Sequence, residues 1–276
     1  MPSREPDERR PAGSGPDVVR PLVADPRVVS AVAEARDACS ALRWLPAMRR
    51  RTEQVRVEAC VRAAAASAEV DGARLPLEQV RSLVAAQEHV PARGDHRDPV
   101  LALVTGALRV TLDAHGSAVA LGRAPRQVMA RMHALAAADL VADRTALGRP
   151  SPAAVQRLDL LARLVVDRSP APALVVAALV DAEVTTSEAF VPVSGVVARA
   201  LARCVVVHGG LDPAGVVVPE RHAVADRAGR EAALAGYRAG GPDGVVGWVR
   251  WWGDAVVAGA AEATRVAEHV MAGRLT

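Results

Sequence analysis

A charged ligand could be held where two very apolar stretches of this chain meet. The first, 171–188, ends in Ser-Glu; the connection AFVPVS follows, and a second apolar stretch starts at Gly195 and runs VVARALARCVVVHGG. If both stretches are buried helices, their connection projects from the core at a fixed place. Ser194 then reads as an N-cap, and the free N–H groups beyond it, that of Gly195 included, offer an anion a position at the positive end of a helix. The same residues also serve as a plain turn between two buried helices, so the anion site stays one of two readings.

Other residues with chemical potential are placed less tellingly. Asp113 and His115 lie two apart, which on a helix sends them to different faces. His208 stands before Gly209 and Gly210, a natural helix end where an imidazole suits the negative pole. Cys39, Cys60 and Cys204 are far apart in apolar helical contexts and form no CxxC pair, which suits buried free thiols in a reducing compartment. The histidines are scattered, so no metal site is expected. Arg49, Arg50 and Arg51 form the densest basic cluster and read as a solvated helix face. Trp248, Trp251 and Trp252 share one helix face and are expected in the core; exposed, they would form a partner-binding surface.

The elements that must position these residues are helical. With 276 residues and 51% hydrophobic content, the chain can bury a substantial core. Apolar residues recur at helical spacing from Pro26 onward, and alternating β-branched runs are nearly missing. The spacing predicts helices over 27–42, 46–70, 76–87, 99–119, 125–140, 152–167, 171–188, 195–208, 221–238 and 245–271, many opened by proline. The fold class is therefore all-α, a single domain over 26–276 preceded by a disordered tail over 1–25. Three breaks interrupt strongly helical flanks: 70–76, where Gly72 in VDG can take positive φ; 141–152, a loop or short β-hairpin; and 189–195.

Charge and hydropathy narrow the partners. Every basic residue is Arg, Lys is absent, and the net charge is only +3 with acids interspersed, so a nucleic-acid partner is not expected. The N-terminus lacks the apolar segment of a secretory leader, and the apolar run 171–180 falls short of the roughly 18 to 20 residues of a membrane span. The expected location is the cytoplasm.

The stretch EAFVPVSGVVARALARCVVVHGGLDPAGVVVPE resembles the Fic family motif HPFxxGNGRxxR and the segment ending in VPE that follows it. Phe190, Gly195 and Arg199 fall on the motif's Phe, second Gly and final Arg. Upstream, Ser67-Ala-Glu-Val-Asp71-Gly72 resembles the family's inhibitory helix, S/T-x-x-x-E-G, within a segment spanning 46–72. The resemblance implies that Asp71 faces Arg199, although a purely structural ion pair between two core helices would have the same residues. MHALAAADLVADRTALGRP looks like the family's His-bearing helix, carrying His133, followed by a flap over 141–151 with Leu147, Gly148 and Arg149.

The resemblance implies a Fic-like helical bundle and a transferase that moves a nucleoside monophosphate from a nucleotide to a protein hydroxyl, with Mg²⁺. No cofactor follows from the residues themselves. Within the motif loop, 188–199, the departures are severe. Glu188 replaces the general-base His, Pro192 the Mg²⁺-holding acid, Val193 the first Gly, Ser194 the Asn and Val196 the first Arg. Phosphoryl transfer depends on positioning and charge neutralisation, so these losses argue against ordinary AMP transfer. What remains, Ser194, Gly195 and Arg199, suits holding a nucleotide or another anion. Three functions stay open: a degenerate member that binds a nucleotide or protein partner, an active nucleotidyl- or phosphoryl-transferase using Glu188 as base, and a helical interaction scaffold.

Overall fold

A computed structural model describes residues 19–87, 98–166 and 171–274. Thirteen α-helices occur among them, and no strand. The centre is a helix pair, α9 (Ala173–Thr186) and α10 (Ser194–His208). Nearly every residue of α9 from Leu174 to Val184 is buried, and so is every residue of α10 from Val196 to Val206, so both are covered on all sides. One side of α10 meets α6 (Pro99–Leu121), which carries α4 (Thr52–Val70) and α7 (Pro125–Ala137) on its flanks. The small residues of these helices allow close approach: a Cβ on Gly106 of α6 would lie 2.1 Å from the Ala136 carbonyl oxygen of α7.

The outer brace is α13 (Pro242–Ala272), 31 residues and about 46 Å long at ~1.5 Å per residue. It packs on α2 (Pro26–Leu42), α3 (Pro46–Arg50), α4, α9, α11 (Glu220–Ala225) and α12 (Arg227–Ala239). Its three tryptophans are buried, as their shared face predicts. Trp248 is fully enclosed and donates Nε1–H to the Ala178 carbonyl at 2.7 Å, while Trp252 donates to Asp181 Oδ2 at 3.1 Å. The remaining helices are α1 (Val19–Ala24), α5 (Leu77–Gln87) and α8 (Val155–Val166). Among the described residues no helix is long and apolar enough to cross a membrane.

Several boundaries differ from the sequence reading, each for a local reason. The tail expected over 1–25 falls outside the described residues up to 18, and its last part forms α1. The single helix expected over 46–70 breaks at Arg51, which leaves helical geometry as its guanidinium reaches the Val270 carbonyl of α13 at 3.0 Å. Arg49, Arg50 and Arg51 are all exposed, as a solvated face requires, with Arg51 outside the helix and Arg49 lying over the exposed Trp44 ring. The helix expected over 221–238 is divided at Asp226, whose carboxylate accepts from Gly229 N and caps α12.

The hairpin considered for 141–151 is absent. Asp143 instead caps a 3₁₀ turn, Arg144–Ala146, and Pro150 and Pro152 remove N–H donors that a strand ladder would need. Cys39, Cys60 and Cys204 are buried and free, with burial pushing the Cys39 and Cys204 thiols up to about 12.

Candidate functional site

The candidate site forms where the end of α4 meets the start of α10. Helix α4 closes with a Schellman turn: Ala73 N donates to Ala68 O, Gly72 N donates to Glu69 O, and Gly72 takes φ +91°. This fixes Asp71, the C-cap residue, at the helix end. Arg227 of α12 strengthens the arrangement by donating to the Glu69 carbonyl at 2.9 Å and to that of Val70.

Arg199, one turn into α10 and only 6% exposed, turns its guanidinium onto this end of α4. Its Nε donates to Ser67 Oγ and its Nη2 to the Ser67 carbonyl, both at 2.8 Å, and Nη2 lies 3.0 Å from Asp71 Oδ2. Nη1 is buried with no acceptor. The facing of Asp71 and Arg199 implied by the sequence is therefore present. The Asp71 carboxylate also lies against the first turn of α10, since a Cβ on Gly195 would fall 2.8 Å from both of its oxygens. A carboxylate of the chain itself stands beside the positive pole of α10, where an external anion would be favoured.

The connection from α9 to α10 has a corresponding structure. Helix α9 also ends in a Schellman turn, with Ala189 N donating to Val184 O and Glu188 N to Thr185 O. Its left-handed position is held by Glu188 at φ 49°, the one non-glycine with positive φ among the described residues. That backbone turns the Glu188 side chain to solvent while Ala189 and Phe190 are buried. The peptide between Val191 and Pro192 is cis.

Ser194 does not act as the N-cap that the sequence suggested. It is the first residue of α10, and its hydroxyl accepts from Phe190 N at 2.9 Å within the loop, so the cap position falls to Val193. The hydroxyl thereby stabilises the loop rather than the free N–H groups of α10. Gly195 stays at the helix start, as expected.

The flap-like segment is pinned against this loop by two contacts. Ser151 N donates to the Ala189 carbonyl at 2.9 Å, and Gly148 N donates to His133 Nδ1 at 3.1 Å. Gly148 needs its φ of +79° to pass close to Ala130. The His133 ring is buried beside Phe190, with centroids 5.1 Å apart. Burial lowers its pKa, and the Val191 carbonyl offsets this in part. Leu147 is partly buried, whereas Arg149 is exposed beside an open groove lined also by His133, Thr145 and Val191.

The sequence reading missed other functional or structural charges near the site. One turn beyond Arg199, the buried Arg203 pairs with Glu220 of the VPE segment at 3.1 Å and donates to the Gly215 carbonyl. Asp212 accepts from Gly215 N and Val217 N, fixing the segment that carries Glu220. Arg230 of α12 is buried at 8% exposure with Nε and Nη2 unpaired. Arg227 and Arg230 lie three apart, which shows in sequence that they share a face but not that the face is covered. Asp113 and His115 diverge as expected, toward Arg131 and Arg56 respectively.

No family profile matches this sequence, and no curated protein matches it. Solved structures do. A Fic family protein from Desulfovibrio desulfuricans G20 superposes with a TM-score of 0.68 at 16% identity, over 88% of this chain and 75% of that one. Residues 134–508 of Fic-1 from C. elegans superpose with a TM-score of 0.65 at 19% identity, over 89% and 73% of the two chains. A variant of the same segment, with one glutamate changed to glycine, gives 0.64 and 19%, over 90% and 74%. The fold is all-α and Fic-like.

Proposed function

We propose that this chain is a degenerate Fic-like protein that binds a nucleotide phosphate, another anion or a protein partner without ordinary AMP transfer. The observation that carries the proposal is the buried Arg199 guanidinium, held by Asp71 and Ser67 against the start of α10 with Nη1 unpaired. A phosphate oxygen can take up that remaining donor, and it gains further if Asp71 withdraws.

The residues at the site do not fit Mg²⁺. Pro192 stands where the family's metal-holding acid is expected and has no ligand atom in its side chain, and Asp71 is engaged by Arg199. Among the described residues no group of three His, Cys, Asp or Glu side chains gathers elsewhere. Binding is accordingly assigned to Arg199 and the N–H groups of α10 alone.

The test is calorimetric titration of ATP, GTP, CTP, UTP and their diphosphates into wild-type, Asp71→Gly and Arg199→Ala protein, with and without Mg²⁺. Binding strengthened by Asp71→Gly and removed by Arg199→Ala is the expected result. Silence from folded protein in every combination would overturn the nucleotide and anion part of the proposal and leave a scaffold acting through protein contacts.

One observation favours a second reading, an active transferase with a rearranged site. Glu188 is held in the left-handed region at the position of the family's base, and strained residues gather at functional sites. This reading requires nucleotide labelling of the protein or a lysate that Glu188→Ala abolishes.

A further inference from the structure

Trp44 is an aromatic side chain that the fold leaves in the open. Trp248, Trp251, Trp252 and Phe190 are buried and Tyr237 is partly buried, whereas Trp44 is 74% exposed. The backbone fixes that exposure: Trp44 N donates to Ala41 O, Leu45 N to Leu42 O and Met48 N to Leu45 O, so the chain turns tightly from α2 into α3. Leu42 and Ala47, buried on either side of the turn, anchor it to the core. The Arg49 guanidinium lies over the ring, 5.7 Å from its centroid.

The same turn gathers cations without acids. Residues 43–51, RWLPAMRRR, hold Arg43, Arg49, Arg50 and Arg51, all exposed, and no acidic residue. Helix α3 has five residues, about 7 Å at ~1.5 Å per residue, a length that arginine side chains reach across, so ring and cations share one neighbourhood. Elsewhere arginines meet acids within the fold, as Arg62 and Arg81 meet Glu58 and Arg131 meets Asp113. Among the described residues the four arginines of the turn form no ion pair, and the next acid along the chain, Glu53, is held by Arg56. Arg51 is engaged by the Val270 carbonyl at the negative end of α13. The guanidinium N–H groups of Arg43, Arg49 and Arg50 make no hydrogen bond within the described chain.

We propose that the turn joining α2 to α3 docks an acidic segment of a partner protein, with Trp44 as the apolar anchor and Arg43, Arg49 and Arg50 receiving carboxylates around it. Tryptophan and arginine are the residues that most often carry protein interfaces, and guanidinium forks match carboxylates. A ring already oriented by a rigid turn and an overlying cation loses little freedom on binding. A membrane surface suits the turn less, because Leu45 and Met48 are half-buried and Ala47 buried, so one ring is the apolar area on offer. A nucleic-acid strand needs a basic track, and the chain beyond Arg51 continues with Glu53. The turn precedes α4 and Asp71 follows it, 19 residues apart along the helix, about 28 Å. A partner seated at Trp44 therefore leaves the Arg199 site open, and this proposal stands or falls independently of the anion reading.

The experiment follows the fluorescence anisotropy of a labelled peptide of Asp, Glu and Leu residues titrated with the full chain, beside a control peptide with Asn and Gln in place of the acids. The acidic peptide is expected to bind, more weakly as salt is raised, and the control is not. Trp44→Ala and the pair Arg49→Glu/Arg50→Glu should each weaken binding by about tenfold or more, with Tm unchanged because the side chains are exposed. Trp44→Tyr should retain most of the affinity. Arg163→Glu/Arg238→Glu, the same change of charge at exposed positions on α8 and α12, should leave it as in the wild type.

No binding of the acidic peptide, equal binding of its amide control, or equal affinity with and without Trp44 would overturn the proposal. So would an equal loss in the Arg163→Glu/Arg238→Glu chain, which would reduce the effect to net charge. Phosphatidylserine vesicles and oligothymidylate are titrated in parallel; tighter binding of either than of the peptide, lost in Trp44→Ala, would overturn the protein partner in favour of a lipid surface or a nucleic acid.

Discussion

The Asp71 carboxylate packs directly on the α-carbon of Gly195, leaving no room for a methyl group between them. A Cβ there would meet both carboxylate oxygens at 2.8 Å and Arg199 Nη1 at 3.1 Å. Gly195→Ala is therefore expected to drive Asp71 off Arg199. Alanine's helix propensity returns up to about 1 kcal/mol, less than the loss of the pair, so net stability should fall by about 1–2 kcal/mol. Denaturant unfolding checks this. Unlike Asp71→Gly, the alanine variant should not gain phosphate affinity, because its methyl fills the vacated position.

Glu188 pays a conformational penalty that glycine would not. In a Schellman turn the left-handed residue is usually glycine, and an L-residue there costs about 1–2 kcal/mol. Glu188→Gly should stabilise the chain by about 1 kcal/mol, reduced by the greater freedom of glycine in the unfolded state. Glu188→Ala should change stability little, since the exposed carboxylate makes no contact that the alanine variant would lose. A destabilised glycine variant would mean that the side chain holds the loop.

His133 links the flap-like segment to pH. Its Nδ1 accepts the Gly148 N–H, which only the neutral ring can do, and burial holds its pKa below the ordinary 6.5. Unfolded chains take up a proton near 6.5 that folded chains refuse. The contribution is thus complete above that pH and lost as the pH falls through the folded value. Stability measured across this range should decline in the wild type more than in His133→Gln, and exchange of the Gly148 amide hydrogen should accelerate over the same interval.

Arg203 and Glu220 are both buried to about the same degree, 5% and 4% exposed, and answer each other's charge. Removing one partner strands the other, so Arg203→Met is expected to cost about 3–5 kcal/mol. The double variant Arg203→Met/Glu220→Leu should recover most of that loss. A double variant as unstable as the single one would show that the Gly215 carbonyl, not Glu220, is the contact that matters.

What could be read in the sequence follows from the range over which the physics acts. Helical periodicity located α9, α10 and the tryptophan face of α13, because burial of these elements is set by their own residues. The meeting of Asp71 and Arg199 was legible through the motif resemblance alone, since no local pattern relates positions 128 apart (199 less 71). The role of Ser194 was misread because a hydroxyl has two possible N–H partners there, and the tight loop brings Phe190 N within reach first. Arg230 left no trace: on a charged, alternating helix an arginine that is covered by Trp248 looks the same as one in water.

The order of the helices along the chain has a consequence for synthesis. The brace α13 comes after all the helices it holds, and its partner α2 lies near the other end of the described chain. Contacts of such long sequence separation form late and slowly. While a ribosome is still making α13, the uncovered Ala- and Val-rich surfaces of α2 and α9 have nothing to close over them. A chain synthesised only up to the start of α13 therefore presents these surfaces open to chaperones, and the enclosure of Trp248 against the Ala178 carbonyl comes into being only when α13 docks.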